Sequence, residues 1–232
     1  MGRFEGILSR AYDLVAPAVL GYHAFEDKLA ERVATEYVTP LILDFGVGTG
    51  ITARALLERN PGCRVLGVDN EAEMIHQALS NLGAEVAMGT VEVHYEDGLE
   101  YLSGLADGSI DVVASAFTLH NCLRQYGHAV EEEFFRILRP GGLFINVDKY
   151  AADDGREYVR ELTEQILRYD VLKESGGEEL RRAWIAHEIE DQMPERIMWA
   201  RSSLERLGAI GFHDVTLSQR LAQYAIVAGY KS

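Results

Sequence analysis

The sequence predicts an α/β domain: one doubly wound sheet of seven strands, mostly parallel, closed by a C-terminal antiparallel hairpin and covered by a helical cap. Three observations carry that prediction. The run LILDFGVGTG, Leu41 to Gly50, reads as a buried strand entering a tight glycine loop that opens a helix. Strand-like and helix-like stretches then alternate as far as Val147. Two last strand-like runs, 213–218 and 223–228, lie close enough together for a hairpin.

Residues 4–36 read as one or two helices, with Ala11, Leu14 and Val15, then Phe25, Leu29 and Val33, at helical spacing. Gly21-Tyr22-His23 marks the break, and the N-terminal helical segment as a whole is 1–38. Strand one is 41–45, and its helix, 49–59, stops at Asn60-Pro61-Gly62. Strand two, 64–68, leads to a helix over 71–82. Strand three is 91–95, followed by a short turn at 99–102 and the Asp107-Gly108 turn. Strand four, 110–115, precedes a helix over 128–138 that ends at Arg139-Pro140-Gly141-Gly142, and strand five is 143–147. The segment 152–208 is helical, charged and poor in strands, so it is expected to cap the site within a single domain spanning 1–232.

The chain has 232 residues, 47% hydrophobic and 25% charged, with a formal net charge of −15. That suits one globular core and disfavours nucleic acid, whose phosphates such a surface repels. The densest basic cluster, Arg181-Arg182, follows Glu178-Glu179 directly. Cys63 and Cys122 are too few for a disulfide framework, MGRFEG lacks a signal pattern, and no apolar run reaches membrane-spanning length. A cytoplasmic enzyme with a small-molecule substrate and no membrane partner is expected; a homodimer stays open.

In a doubly wound sheet the ligand sits at the carboxyl ends of the parallel strands. That places the glycine loop, Asp69-Asn70, Glu96-Asp97, Ser115 to Asn121, Asp148 to Tyr150 and the Gln219-Arg220 turn on one face. Asp69, after the second strand, suits ribose hydroxyls. The acids Asp44, Asp69, Glu96 and Asp97 favour a cation over a pyrophosphate. A nicotinamide site would want glycine where Ile51 stands, and a phosphate-binding loop would want Lys-Ser/Thr.

From about Tyr12 to Lys231 these residues resemble the class I S-adenosylmethionine-dependent methyltransferases. LILDFGVGTG looks like the family's first motif, VLGVDNEAEMI its second and VHYEDG its third, with IDVVASAFTLHN and RILRPGG as the remainder. The resemblance implies a Rossmann-like sheet, S-adenosyl-L-methionine as cofactor and S-adenosyl-L-homocysteine as product. It implies Gly46, Gly48 and Gly50 beside the methionine portion, and Asp69 on the ribose. It puts Asp97 and the Gly98 amide at the adenine, Asn70 and Met74 on the adenine's other side, and Ala116 or Phe117 at the methionine end. Tyr12 resembles a tyrosine that closes over the cofactor. Asp44 either bonds the loop amides or reaches the ligand.

Methyl transfer to a small acceptor is an in-line displacement at the sulfonium methyl. Where a proton must leave, His120, Asp148 and His187 are the candidate bases, in that order. Local capping is the competing reading for His120 and Asp148. Tyr22 and His23 could drape over the acceptor, against plain packing. Arg220 could fork onto a substrate carboxylate, against a solvated turn. His187, Glu188 and Asp191 share one helix, but H-E-x-x-D departs from H-E-x-x-H, so no metal is expected. Trp184 and Trp199 read as packing anchors of the cap.

A second resemblance, in DNEAEMI, SAFTLHN and the GF-containing tail, is to carboxy-S-adenosylmethionine synthases, which modify the cofactor with a carboxylate-bearing keto acid. That chemistry wants a cationic pocket, which Arg220 or Arg182 could supply. A non-catalytic cofactor-binding module is the alternative from another class, disfavoured by the intact glycine loop; a dehydrogenase comes last.

Overall fold

A computed structural model describes residues 6–232, so the first residues of the expected N-terminal helical segment, 1–5, lie outside the described residues. The chain runs α1 (Ile7–Arg10), a 3-10 turn (Tyr12–Ala18), α2 (Tyr22–Glu36), β1 (Leu41–Phe45), α3 (Ile51–Arg59), β2 (Arg64–Asp69), α4 (Ala72–Asn81), α5 (Gly83–Ala87) and β3 (Val91–Tyr95). There follow α6 (Gly98–Gly104), β4 (Ile110–Ala116), α7 (Arg124–Ile137), β5 (Leu138–Lys149), α8 (Gly155–Arg168), α9 (Leu172–Asp191), α10 (Ala200–Ile210), β6 (Phe212–Leu221) and β7 (Tyr224–Lys231). The seven strands form one sheet in the order β3-β2-β1-β4-β5-β7-β6, with β7 antiparallel to both its neighbours. Among the described residues no helix is long and apolar enough to cross a membrane.

Burial on both faces explains why the central strands are apolar without alternation. Ile42, Val112, Ile145 and Ile226 point to one side, where Leu29 and Val33 of α2 and Leu56 of α3 cover them. Leu43, Val113, Phe144 and Val227 point to the other, under Val130 and Phe134 of α7 and Leu207 of α10. β1 and β4 lie side by side in register, Asp44 against Ala114 and Phe45 against Ser115. Chain order reverses here, with β2 and β3 on one side of β1 and β4 and β5 beyond it, so a crevice opens at their carboxyl ends.

Three boundaries differ from the sequence expectation for physical reasons. β5 begins before the Pro-Gly-Gly turn, because Leu138 pairs with Ile110 ahead of the bulge that re-registers Val112 on Leu143. α7 begins at Arg124, not near residue 128. α10 is not part of the cap. Its Leu207 packs in the sheet core beside Phe212, and its Arg206 bonds Glu131 of α7 at 2.8 Å, because β6 must return parallel to β5 through a crossover on the sheet face. The cap proper is α8 and α9 with the 3-10 turn, held by a separate core of Val15, Ala18, Tyr169, Leu172, Leu180 and Trp184. α9 bends at Gly177, whose φ of +77° suits a residue without a Cβ.

Glu26 of α2 is buried and accepts a 2.8 Å bond from Thr52 Oγ1 of α3. Burial outweighs that bond and pushes its pKa up from 4.5 to about 7. Below the unfolded value both states keep the proton. Between there and about pH 7 only the folded state keeps it, so stability falls as pH rises and then levels off. Glu26→Gln keeps the acceptor and removes the slope. Urea unfolding should find the variant more stable above pH 7, by up to about 3 kcal/mol, and unchanged near pH 4; an unchanged slope would exonerate Glu26.

Candidate active site

The carboxyl end of β1 turns into a loop that only glycines can follow. The Gly46 and Val47 amides donate to the carbonyl of Val68 at 2.9 and 3.1 Å, fastening the loop to β2. Gly46 has φ +76°, and a Cβ there would stand 2.2 Å from the Thr118 side chain. At Gly48 a Cβ would meet no protein atom nearer than 3.9 Å, on the wall of a cavity of about 320 Å³. Asp69, ending β2, accepts from the Gly48 amide at 3.0 Å and the Glu71 amide at 2.9 Å. Asp97 caps α6 by accepting from Leu99 N at 2.9 Å and Glu100 N at 3.3 Å, and the Tyr126 hydroxyl donates to it at 3.1 Å.

The cavity brings together ten of the twelve residues expected at the cofactor: Tyr12, Gly46, Gly48, Asp69, Asn70, Met74, Asp97, Gly98, Ala116 and Phe117. Gly50 and Asp44 are not on its wall. Gly50 is the N-cap of α3 at φ +90°, where a Cβ would sit 2.7 Å from Leu82. Asp44 lies wholly buried, and neither carboxylate oxygen has a hydrogen-bond partner. Glu96 is also off the wall. Thr118, Asn121, Cys122, Leu123, Tyr126 and Arg196 line the cavity without having been singled out for the cofactor. All but Arg196 follow β4 within ten residues, which is the signal that could have found them; Arg196 comes from the segment between α9 and α10 and donates to the Asn121 carbonyl.

The electrostatics favour a cation. Burial, reinforced by Glu26 and Asp69, holds the Asp44 pKa well above the ordinary carboxylate value. Burial also raises that of Asp69, against the amide bonds from Glu71 and Gly48. A positive ligand relieves both. The orphaned Asp44 oxygens and the open face at Gly48 fit a cationic nucleoside such as S-adenosylmethionine.

At Tyr12 and Phe117 the cleft meets a second, smaller chamber of about 20 Å³, room for roughly one water. Tyr22, His120, Lys149, Tyr169, Trp184 and Tyr224 complete most of its wall. Tyr22 stacks on Phe117 with centroids 4.8 Å apart, and its hydroxyl donates to that of Tyr12. Phe117 holds φ +52°, an uncommon conformation for a bulky residue, fixed by its amide bond to Val147 O at 2.7 Å.

Behind the chamber lies a buried polar cluster that gathers all three candidate bases. His120 Nδ1 is 2.5 Å from Asp148 Oδ1. His120 Nε2 is 3.7 Å from Asp191 Oδ2, and His187 Nε2 is 3.9 Å from the same oxygen. Lys149 Nζ donates to Asp191 Oδ2 and Glu188 Oε2, both at 2.7 Å. Burial opposes that ammonium, yet Asp191 and Glu188 more than compensate and hold its pKa well above the usual lysine value. The sequence places Lys149 on the ligand face, between Asp148 and Tyr150, but gives no sign of the two acids of α9 that it meets.

Two other expected contacts are not brought to the chamber. His23 is exposed on a groove that it shares with Glu26, Asp27 and Arg54. Arg220 sits at the β6–β7 turn but donates to Glu161 of α8 at 3.1 Å, so it ties the hairpin to the cap. Arg182 pairs with Glu178 at 3.2 Å and is exposed. Trp184 anchors the cap core as expected, whereas Trp199 is exposed, with its ring 5.3 Å from that of Tyr158.

Sheet order, glycine loop and acidic crevice together define a class I S-adenosylmethionine-dependent methyltransferase fold. A family model described as a methyltransferase domain matches residues 43–146. Carboxy-S-adenosyl-L-methionine synthase of Vibrio cholerae is 26% identical over 205 residues, covering 86% of this chain and 80% of that protein. An O-methyltransferase family protein from Burkholderia thailandensis superposes with a TM-score of 0.68 at 17% identity, covering 97% of this chain. An N-methyltransferase of Haemonchus contortus, solved with phosphomonomethylethanolamine and S-adenosylhomocysteine, gives 0.65 at 15%, again over 97%. This chain spans about three fifths of those two structures, 59% and 57% respectively.

Lys149→Met should strand Glu188 and Asp191 as buried, uncompensated charges. The loss is expected to be about 3–5 kcal/mol of stability by denaturant titration; a loss below 1 kcal/mol would mean that the cluster is solvated.

Proposed function

We propose that this protein transfers the methyl group of S-adenosylmethionine to a small acceptor of largely aromatic or apolar character, bound at the end of the cofactor cleft that Tyr12 and Phe117 line. The observation that carries the reading is the aromatic end of the cofactor cleft, where Tyr12 and Phe117 stand between the cavity and His120 with its partner Asp148. In this reading the glycine loop and Asp69 hold the nucleoside, Asn70 and Met74 flank the adenine, and Asp44 balances the positive end. The sulfur–methyl bond breaks with its electron pair staying on sulfur, while an acceptor lone pair forms the new bond in line. The leaving thioether is already good, so alignment and exclusion of water do most of the work. When the nucleophile carries a proton, it passes to the carboxylate-rich cluster around His120. With only two cysteines, Cys63 and Cys122, the composition supports a reducing, cytoplasmic setting for this reaction.

The named relatives favour a second reading, carboxylation of the cofactor. It wants a cation for the keto-acid carboxylate. Arg220 and Arg182 are engaged elsewhere and Lys149 is shared by two carboxylates, whereas Arg196, on the wall of the cofactor cleft, donates to the Asn121 carbonyl and is paired with no acid among the described residues. Methyl transfer stands first on the aromatic end of the cleft, and Arg196 is the cation that the second reading would use. Mass spectrometry separates the two: a heavier acceptor from a panel of phenols, amines and thiols supports methyl transfer, and a carboxylated nucleoside formed with prephenate overturns it.

Two variants locate the parts. Asp69→Ala should weaken S-adenosylhomocysteine binding about 10- to 100-fold by calorimetry, through lost charge-assisted bonds; parent affinity would remove Asp69 from the nucleoside site. His120→Ala should lower kcat about 10²- to 10⁴-fold and leave S-adenosylhomocysteine affinity at the parent value. An undiminished kcat would clear the polar wall of any part in the transfer.

A further inference from the structure

We infer that His120, His187 and Asp191 form a binding site for one divalent first-row transition cation, of the zinc or iron(II) kind, at the polar end of the acceptor chamber. The inference deepens the methyl-transfer reading, because the cation would hold the acceptor's donor atom beside the sulfonium. All three side chains are buried, and one potential ligand atom from each lies within 4.8 Å of the others. Asp191 Oδ2 is 3.7 Å from His120 Nε2 and 3.9 Å from His187 Nε2. Ligands at about 2.0–2.2 Å around a tetrahedral ion stand about 3.4 Å apart. Small side-chain rotations therefore close the triad.

The surroundings are those of a ligand set. Nδ1 of His120 is taken by Asp148 at 2.5 Å, which leaves Nε2 as the donor facing the other two groups. Such a carboxylate behind the imidazole orients a ligating histidine and raises its basicity. Asp148 is itself braced by the Lys149 amide at 2.8 Å. His187 and Asp191 lie one turn apart on α9. The third ligand comes from the far side of the fold, just after β4, so H-E-x-x-D alone gave no sign of it.

Charge points the same way. The buried carboxylates Asp148, Glu188 and Asp191 face one buried ammonium, that of Lys149, which leaves two negative charges when both imidazoles are neutral. Buried charge without compensation is strongly unfavourable, and a divalent cation supplies what is missing. Two imidazole donors select a transition ion over magnesium or calcium. His120 also lines the chamber, whose 20 Å³ give the ion an open position for a water or for an acceptor oxygen, nitrogen or sulfur. The competing way to neutralise the cluster is a proton on each histidine.

The test uses the full chain, stripped of metal by a chelator and titrated with Co²⁺ and Zn²⁺ near pH 7.5. One equivalent of Co²⁺ should bind and give the intense visible bands of four- or five-coordinate cobalt. Zn²⁺ should displace it. His187→Asn and Asp191→Asn should each weaken cobalt binding at least 100-fold while S-adenosylhomocysteine affinity stays at the parent value. No binding, the pale spectrum of six-coordinate cobalt, or unchanged binding in both variants would overturn the site and leave the protonated pair. Should a variant also lose the nucleoside, the spectrum of the parent decides. Failure of the parent to bind S-adenosylhomocysteine would sink the methyltransferase reading without touching the metal result.

Discussion

Carboxyl groups buried at and around the carboxyl ends of the strands govern this molecule. Glu26, Asp44 and Asp69 lie beneath or beside the glycine loop; Asp148, Glu188 and Asp191 lie behind the chamber. Hydrophobic burial could stabilise the sheet without any of them, because the strand faces are already covered by α2, α3, α7 and α10. Each carboxylate costs desolvation and returns stability only through a partner. Asp69 has amides, Glu26 has a hydroxyl, and Asp44 has neither. A fold that keeps such groups at its crevice is built to receive positive charge there.

The same constraint explains how the cap is held. α9 packs with the 3-10 turn in a core of its own and meets the sheet through Lys149, which reaches from the end of β5 to two acids of α9. Arg220 does the equivalent on the outer side, from the hairpin turn to Glu161 of α8. A guanidinium at a turn on the ligand face is thereby used for docking, because a buried acid on the adjacent helix competes for it. The cap and the polar wall share one residue: Asp191 of α9 faces both Lys149 and His120.

The parts of the site nearest in sequence were the legible ones. The glycine loop, Asp69-Asn70, Asp97-Gly98 and Ala116-Phe117 each follow directly from a strand, and the topological rule puts strand ends on the ligand. Asp44 was ambiguous for a physical reason. It is the residue before Phe45, so its side chain faces the helix layer over the loop and not the cavity. The cap was legible as helical but not in its extent, since amphipathic α10 looks the same whether it covers a sheet or a pocket. Lys149 and Tyr224 were illegible because their meeting depends on the antiparallel pairing of β5 with β7, which no local pattern reveals.

The balance between methyl transfer and modification of the cofactor turns on what the chamber could hold. A keto-acid carboxylate entering it would meet Asp148, Asp191 and Glu188 beyond His120, with one ammonium already divided between two of them. Bringing a fourth negative charge into that low-dielectric space would be repulsive unless a cation came with it. A neutral acceptor meets no such barrier: Tyr22, Phe117 and Tyr224 offer ring faces and edges, and the carboxylates behind His120 are suited to draw off a proton as the sulfonium loses its charge. Without a bound cation the excess acid behind His120 thus favours the neutral substrate, whereas the divalent ion inferred above would cancel that repulsion and leave the choice to Arg196 and the aromatic end of the cleft.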